Sequence, residues 1–364
     1  MNDIPSIYFY IPNVDFPDWE IPEDADRGWK IFESKPNNAV YNWSLQTYIR
    51  LKSIGFSSQL IDTLPETGII LAHRYSLPFD LRPKPNQLIV CMKADHDFHP
   101  YAQLHVVQNR QEANASTGNY FMPHWRQPGL IPRDSMRGDK FENIGYYGIE
   151  KNLTPEFKDS KWSEQLEALG LHWHIVGEDI WNDYSQMDAI IAVRSFQFQE
   201  SYKYKPASKL YNAWHARVPA ILGCDSAFRN ERRSELDYLE VASFEDTIEA
   251  LKRLRDNKAL REAMVKNGIE RAEVFTSENL VIQWRNFITD VAIPAYHRWC
   301  NSGLQQKLYL AKQYLKVKEN NLKPNPVYPH DQEVVHNDHI GVQDSAIVST
   351  MQMYRKAKKL VSRT

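Results

Sequence analysis

The chain has 364 residues, a formal net charge of −2 and an ordinary soluble composition, 42% hydrophobic and 25% charged. That length permits two domains with large cores, and the near-zero charge excludes a global electrostatic pull toward nucleic acid or anionic membrane. Three scattered cysteines without paired spacing, no signal-like start and no apolar run long enough for a bilayer lead to the expectation of a reduced, cytoplasmic protein.

Ile7-Tyr8-Phe9-Tyr10-Ile11 reads as a strand closed by Pro12. Residues 13 to 26 hold six acids and no base, which predicts a surface excursion. A polar loop, Lys35-Pro36-Asn37-Asn38-Ala39, precedes a helix from Trp43 to Ile54, ended by Gly55. Three short apolar runs follow: Gly68 to Ala72, Gln87 to Met92, and His105 to Val107. Each ends in polar residues, the pattern of a parallel sheet with its ligand crevice at the strand carboxyl ends.

Proline-rich residues 123–133 predict an interdomain linker. Ile144 to Gly148 then starts a second set of strands and helices. It continues with a helix from Ser160 to Leu169, the strand His172–Val176, a short helix from Trp181 to Met187, and the strand Ala189–Val193. From Tyr204 to Gly223 the chain predicts a helix with Pro206 in its first turn, then the buried strand Ala220-Ile221-Leu222. A strand from Tyr238 to Ala242 and a helix capped by Ser243 come next. Thr276 opens another helix, which Pro294 is expected to break. Residues 316–349 are polar and poorly periodic, and 351–364 carry five bases and no acid. That tail reads as a basic amphipathic helix; weak membrane-surface contact is the sharpest reading, and a solvated helix or one packed on its own protein is the favoured one.

The start of the helix after Tyr204 is a natural anion site, because free N–H groups and the dipole meet Arg194, Lys203, Lys205 and Lys209 there. A basic helix start facing water is the bland alternative. The order helix, Val-Pro-Ala-Ile-Leu strand, loop, short strand, amphipathic helix resembles the carboxy-terminal half of GT-B glycosyltransferases. The resemblance spans residues 140–290 and, less strongly, the part before it. It implies an α/β fold of two Rossmann-like domains facing across a cleft, with C-terminal helices crossing back. The expected division is 1–135 for the acceptor domain, 136–290 for the donor domain, and 291–364 for returning helices and tail.

In that family this helix start holds the diphosphate of a nucleotide sugar, which implies Arg194, Lys205, Ser208 and Lys209 as its cradle. Gly177 and Glu178, with Trp181 nearby, lie where such folds hold the base, and Tyr147 lies at the tip of the first strand of that domain. Two departures stand out. Asn37-Asn38-Ala39 replaces the paired glycines common in the first loop, and Tyr204 and Asn212 occupy the places of the family's two spaced glutamates. Asn212 is left as a candidate for a ribose hydroxyl.

Asp95, His96 and Asp97, with His99, form the densest reactive cluster. A general base, an Asp-x-Asp metal motif and a plain polar loop are all open, the base reading first and Asp95 its leading member. Asp95 stands where retaining members of the family place a histidine. His330, His336, Asp338 and His339 are a weaker metal candidate. The whole implies a metal-independent hexosyl- or deoxyhexosyl-transferase of glycan biosynthesis, needing no cofactor beyond its nucleotide-sugar donor. Its partners would be that donor and a glycan or small-molecule acceptor, not nucleic acid. A non-catalytic nucleotide-sugar-binding module and a nucleotide-sugar epimerase are the alternatives.

Overall fold

The computed structural model describes residues 4–32, 38–196 and 202–324. Asn37, the histidine-rich segment from His330 to His339 and the basic tail lie outside the described residues. Two fully parallel sheets organise the chain. The first contains β1 (Ile7–Tyr10), β2 (Gln59–Ile61), β3 (Gly68–His73), β4 (Gln87–Met92), β5 (Leu104–Val107) and β6 (Asn119–Phe121), in the order β2-β1-β3-β4-β5-β6. The second contains β7 (Asn143–Tyr147), β8 (His172–Val176), β9 (Ala189–Ala192), β10 (Ala220–Leu222) and β11 (Leu239–Glu240), in the order β11-β10-β9-β7-β8.

Both sheets therefore repeat one topology: the first strand lies between the second and third, and the order reverses there. Ligands of doubly wound sheets sit at the carboxyl ends beside that reversal. β3 and β4 are buried at every residue, which is why they read as unbroken apolar runs rather than alternating ones.

The helices are α1 (Gln46–Ser53), α2 (Ser160–Ala168), α3 (Ser208–Ala216), α4 (Ser226–Glu231), α5 (Phe244–Asp256), α6 (Lys258–Ala272), α7 (Ser277–Phe287), α8 (Ile293–Cys300) and α9 (Gly303–Glu319). On the second sheet, one face packs against Leu210, Tyr211 and Trp214 of α3, and the other against Trp162, Leu166, Leu251 and Leu254. Ser243 caps α5 as expected, its Oγ accepting from the Asp246 N–H at 3.0 Å.

The return to the first unit starts earlier than residue 291. Leu280, Trp284 and Phe287 of α7 belong to the first sheet's core, beside Trp43, Leu45 and Ile49. Pro294 does not stop the chain. A wide turn of π type, Ile288–Ala292, absorbs the change of pitch, and Pro294 falls in the first turn of α8, where a missing N–H costs nothing. α9 then ties down on loops of the first sheet: the Gln306 amide donates to the Pro85 carbonyl at 2.9 Å and the Tyr309 hydroxyl to the Ala102 carbonyl at 2.7 Å. Two Rossmann-like units thus face each other across a cleft, with the C-terminal helices crossing back.

Other expectations change in detail. The helix from Trp181 to Met187 is absent. A single turn at Glu178–Ile180 stands before it, and Asp183 uses its carboxylate on the Ser185 N–H, a local bond that competes with helix. The α3 helix begins two residues beyond Pro206. The strand near Tyr238 is only Leu239–Glu240. The acidic excursion is not wholly on the surface. Asp26 turns inward, accepting from the Gly129 N–H at 2.9 Å and pairing with Arg50 and Arg126. Burial opposes its ionisation, but the two guanidiniums outweigh that and hold its pKa below the usual carboxylate range. Gly129 itself has φ +65, and a Cβ there would meet the Trp29 ring at 2.6 Å.

At the other end of α3, Arg217 takes φ 60 and ψ 40 to close the helix. Left-handed backbone disfavours any residue with a Cβ. Arg217→Gly is expected to stabilise the protein by about 0.5–1 kcal/mol, read as a higher denaturation midpoint with unchanged slope. No gain in midpoint would show that the arginine side chain compensates for its backbone.

Candidate active site

The carboxyl ends of both sheets, the linker and the start of α3 enclose a cleft of about 290 Å³. From the second unit, Tyr147, Glu178, Arg194, Lys205, Ser208, Lys209 and Asn212 line it, and Asp95 lines it from the first. Gly177 instead borders an adjoining groove, which shares Gly148, Ile149 and Glu178 with the cleft. Tyr147 and Arg194 follow from the topology: they end β7 and continue β9, the two strands beside the order reversal.

The start of α3 has no side-chain cap, and Pro206, Ser208 and Lys209 there line the cleft, which sets the positive end of the helix dipole at its wall. Three cations gather around it, each held differently. Arg194 pairs with the buried Asp225 at 3.2 Å. Burial pushes the Asp225 carboxyl up, and Arg194 and Lys209 only partly offset that. Lys205 pairs across the cleft with Asp95.

Lys209 makes no ion pair and no hydrogen bond among the described residues, and the Asp225 charge, already paired with Arg194, acts on it only through space. Its ammonium lies 5.7 Å from the Tyr146 ring centroid. Burial first, and then the nearby Arg194, push its pKa down to about 7. Gly148 makes room for it, since a Cβ there would lie 3.2 Å from the Lys209 Nζ and 2.9 Å from the Tyr146 hydroxyl.

The aromatic side of the cleft is already braced. Tyr147 stacks on Tyr184 with centroids 3.8 Å apart and donates its hydroxyl to the Asp183 carbonyl at 2.6 Å. Trp181 anchors its indole N–H on the Val176 carbonyl at 3.0 Å. Asn212 is engaged at both ends of its amide: its oxygen accepts from the Gln127 N–H at 2.9 Å, and it hydrogen-bonds the Tyr184 side chain. It therefore ties the linker to α3 as well as lining the cleft.

The reactive cluster after β4 divides. Asp95 faces the cleft, and although burial opposes its ionisation, Lys205 holds its pKa below the usual range. His96 packs on Tyr75, with centroids 4.3 Å apart, and on His73, and does not line the cleft. Asp97 is exposed. Buried His99 works as a loop brace, accepting from the Ala102 N–H at 3.0 Å, with its pKa driven to about 3 chiefly by burial. Among the described residues no three His, Cys, Asp or Glu side chains converge as a metal site.

Several lining residues carried no signal in the sequence. His124 stands in what reads as a spacer. Asn42 and Trp43 come from the π-helical stretch Tyr41–Leu45 that runs into α1. Asp225, behind the lining, follows β10 and is recognisable only through its partner Arg194. A clamp beside the cleft was also hidden: the Asn109 amide donates to Ser226 Oγ at 2.9 Å and to the Lys205 carbonyl at 3.3 Å, and Arg110 pairs with Glu231 at 2.9 Å. The first unit thereby positions the loop that carries Lys205.

No family model and no curated protein sequence matches the chain. Among solved structures, S. aureus TarM is 8% identical, covers 67% of this chain and is itself covered to 58%, with a TM-score of 0.43. The chain thus spans less than two thirds of TarM's length. Sucrose-phosphate synthase from Thermosynechococcus elongatus is 13% identical over 61% of this chain and 73% of its own, TM-score 0.41. Anabaena HepE in complex with UDP is 9% identical over 79% of this chain and 100% of its own, TM-score 0.43. At these identities and scores the matches bear on neither substrate nor mechanism, and no part of the functional reading rests on them.

Proposed function

We propose that the protein is a glycosyltransferase that moves a hexosyl or deoxyhexosyl group from a nucleoside-diphosphate sugar to a hydroxyl of a carbohydrate or small molecule, without a metal. One observation carries this reading: Lys209, a lysine that makes no ion pair among the described residues, stands with Arg194 and Lys205 at an uncapped helix start inside a cleft between two units. Structural lysines pair with acids or reach water. A site with cations in surplus is built for an anion that arrives later, and a diphosphate with its sugar fits a cleft of this size.

In this reading the second unit, from residue 136 to the start of α7, holds the donor. Lys209, Arg194 and the α3 N–H groups take the diphosphate, and Ser208 adds a hydroxyl. Glu178, Gly177 and Tyr147 border the nucleoside. The first unit presents the acceptor near Asp95. The departing diphosphate gains charge as its bond to the sugar breaks, and fixed cations stabilise that charge without having to reorganise. Among the described residues no helix is long and apolar enough to cross a membrane. A cytoplasmic place and a role in glycan biosynthesis belong to the same proposal.

Calorimetric titration with UDP, GDP, ADP and dTDP tests it. Lys209 is about half protonated near pH 7 and becomes fully so beside a phosphate, so binding at pH 8 is expected to take up close to one proton. Comparing buffers of different ionisation enthalpy reads this directly, and affinity should fall up to tenfold per pH unit above 7. Absence of binding to all four sinks the donor reading. Binding without sugar release from any activated hexose would instead favour a non-catalytic module.

A further inference from the structure

We infer that His124 is the group that removes the acceptor hydroxyl proton, with Asp95 placed to stabilise the imidazolium that results. This inference rests on the glycosyl-transfer reading above and supplies its general base. His124 Nδ1 lies 2.6 Å from the Trp125 carbonyl oxygen. A carbonyl can only accept, so Nδ1 carries the proton and Nε2 keeps its lone pair. The ring lines the cleft together with Asp95, Asn42 and Trp43.

Its setting is rigid. Trp125 is 1% exposed, and its indole N–H donates to Thr47 Oγ1 at 2.9 Å. Thr47 in turn donates to the Trp43 carbonyl at 2.6 Å, and the Trp43 ring meets the His124 ring edge-on at 4.8 Å. The residue after His124 and the ring beside it are thus both fixed on the α1 region. Such preorganisation is what a proton acceptor requires, and a spacer does not.

Asp95 and the other histidines near it in the first unit are engaged elsewhere. Asp95 is held ionised in an ion pair with Lys205, which weakens it as a base and leaves its charge in place. His96 is turned onto Tyr75 and His73. His73, His99 and His105 are sealed in the first unit. Burial keeps His124 neutral, the form a base needs, while the Asp95 charge acts in the other direction and favours its protonated state. In the transfer step the acceptor O–H proton passes to Nε2 and the oxygen bonds the anomeric carbon. The bond from that carbon to the diphosphate breaks with its electron pair, and the proton later leaves to water. No oxidant or further reactant is needed.

The test uses water in place of the unknown acceptor. Full-length wild type, His124→Asn and His124→Gln are given UDP-, GDP-, ADP- and dTDP-activated hexoses, and free hexose is measured alongside diphosphate affinity. Both variants are expected to bind diphosphate within twofold of wild type. Each should lose about 10²–10³-fold in hydrolysis, together with the acid limb of the pH–rate profile. Wild-type hydrolysis in either variant overturns the assignment, as does loss of binding and hydrolysis in parallel, which marks a structural residue. A wild-type protein that releases hexose from none of the donors overturns the transferase reading itself, and this inference falls with it.

Discussion

Lys209→Met is expected to abolish nucleoside-diphosphate binding, by more than 100-fold in affinity, and at the same time to raise the thermal midpoint of the unliganded protein. The two effects share one cause. Without ligand, Lys209 is a half-buried ammonium near Arg194 that makes no ion pair among the described residues, and burial and Arg194 drive its pKa to about 7 against the opposing Asp225 charge. The unfolded chain restores the ordinary lysine value, so between pH 7 and roughly 10 the unfolded state holds a proton that the native state lacks. Stability from this group therefore rises with pH across that window, and the penalty is fullest below pH 7.

Methionine keeps the length and removes the charge. Relief of the buried charge should amount to on the order of 2 kcal/mol at pH 6, or roughly 3 °C in a chain of this size. The gain should shrink toward pH 10. Scanning calorimetry at both pH values, with titration of UDP and GDP, checks it. A variant that binds normally, or one that melts lower at pH 6, would show that Lys209 has a partner in solution and is not the waiting half of an anion site.

A second large effect concerns the ion pair that spans the cleft. Lys205 can hold Asp95 or a phosphate, and an arriving diphosphate must draw it away. Asp95→Asn removes the competitor, so diphosphate affinity should rise about tenfold, equivalent to ~1.4 kcal/mol, while sugar transfer falls. Lys205→Ala should act oppositely on binding and lower turnover by about 10²–10³-fold, the scale of losing one preorganised charge on a developing anion. The double variant should not show the sum of the two, because each single change also strands the other's partner. Strict additivity, or an Asp95→Asn protein with unchanged affinity, would mean that the pair is a surface contact irrelevant to ligand.

How much of this was visible beforehand follows from the range of the interactions. β3 and β4 were legible because burial on both faces leaves an unbroken apolar run, and a parallel sheet puts its polar tips at one edge. Asp95, Arg194, Lys205 and Lys209 were therefore marked by their places after strands or at a helix start. Asp26 was not, since its partners Arg126 and Gly129 lie about a hundred positions away and only the folded chain brings them together. His124 was hidden by its proline-rich surroundings, which read as a connector. The allegiance of α7 was equally unreadable: Leu280, Trp284 and Phe287 keep helical spacing whichever sheet they cover. Pro294 misled for a local reason, because a π-type turn can absorb what an α-helix cannot.

That allegiance has a consequence for biosynthesis. The first sheet's flank is completed by Trp284, Phe287 and Ile288, with α8 and α9 behind them. On the ribosome, β1 to β6 emerge long before these residues, and the entire second unit is made in between. The amino-terminal half thus waits with an uncovered apolar flank while its neighbour is still being translated, a stage at which a nascent chain is most prone to aggregate and most in need of a chaperone.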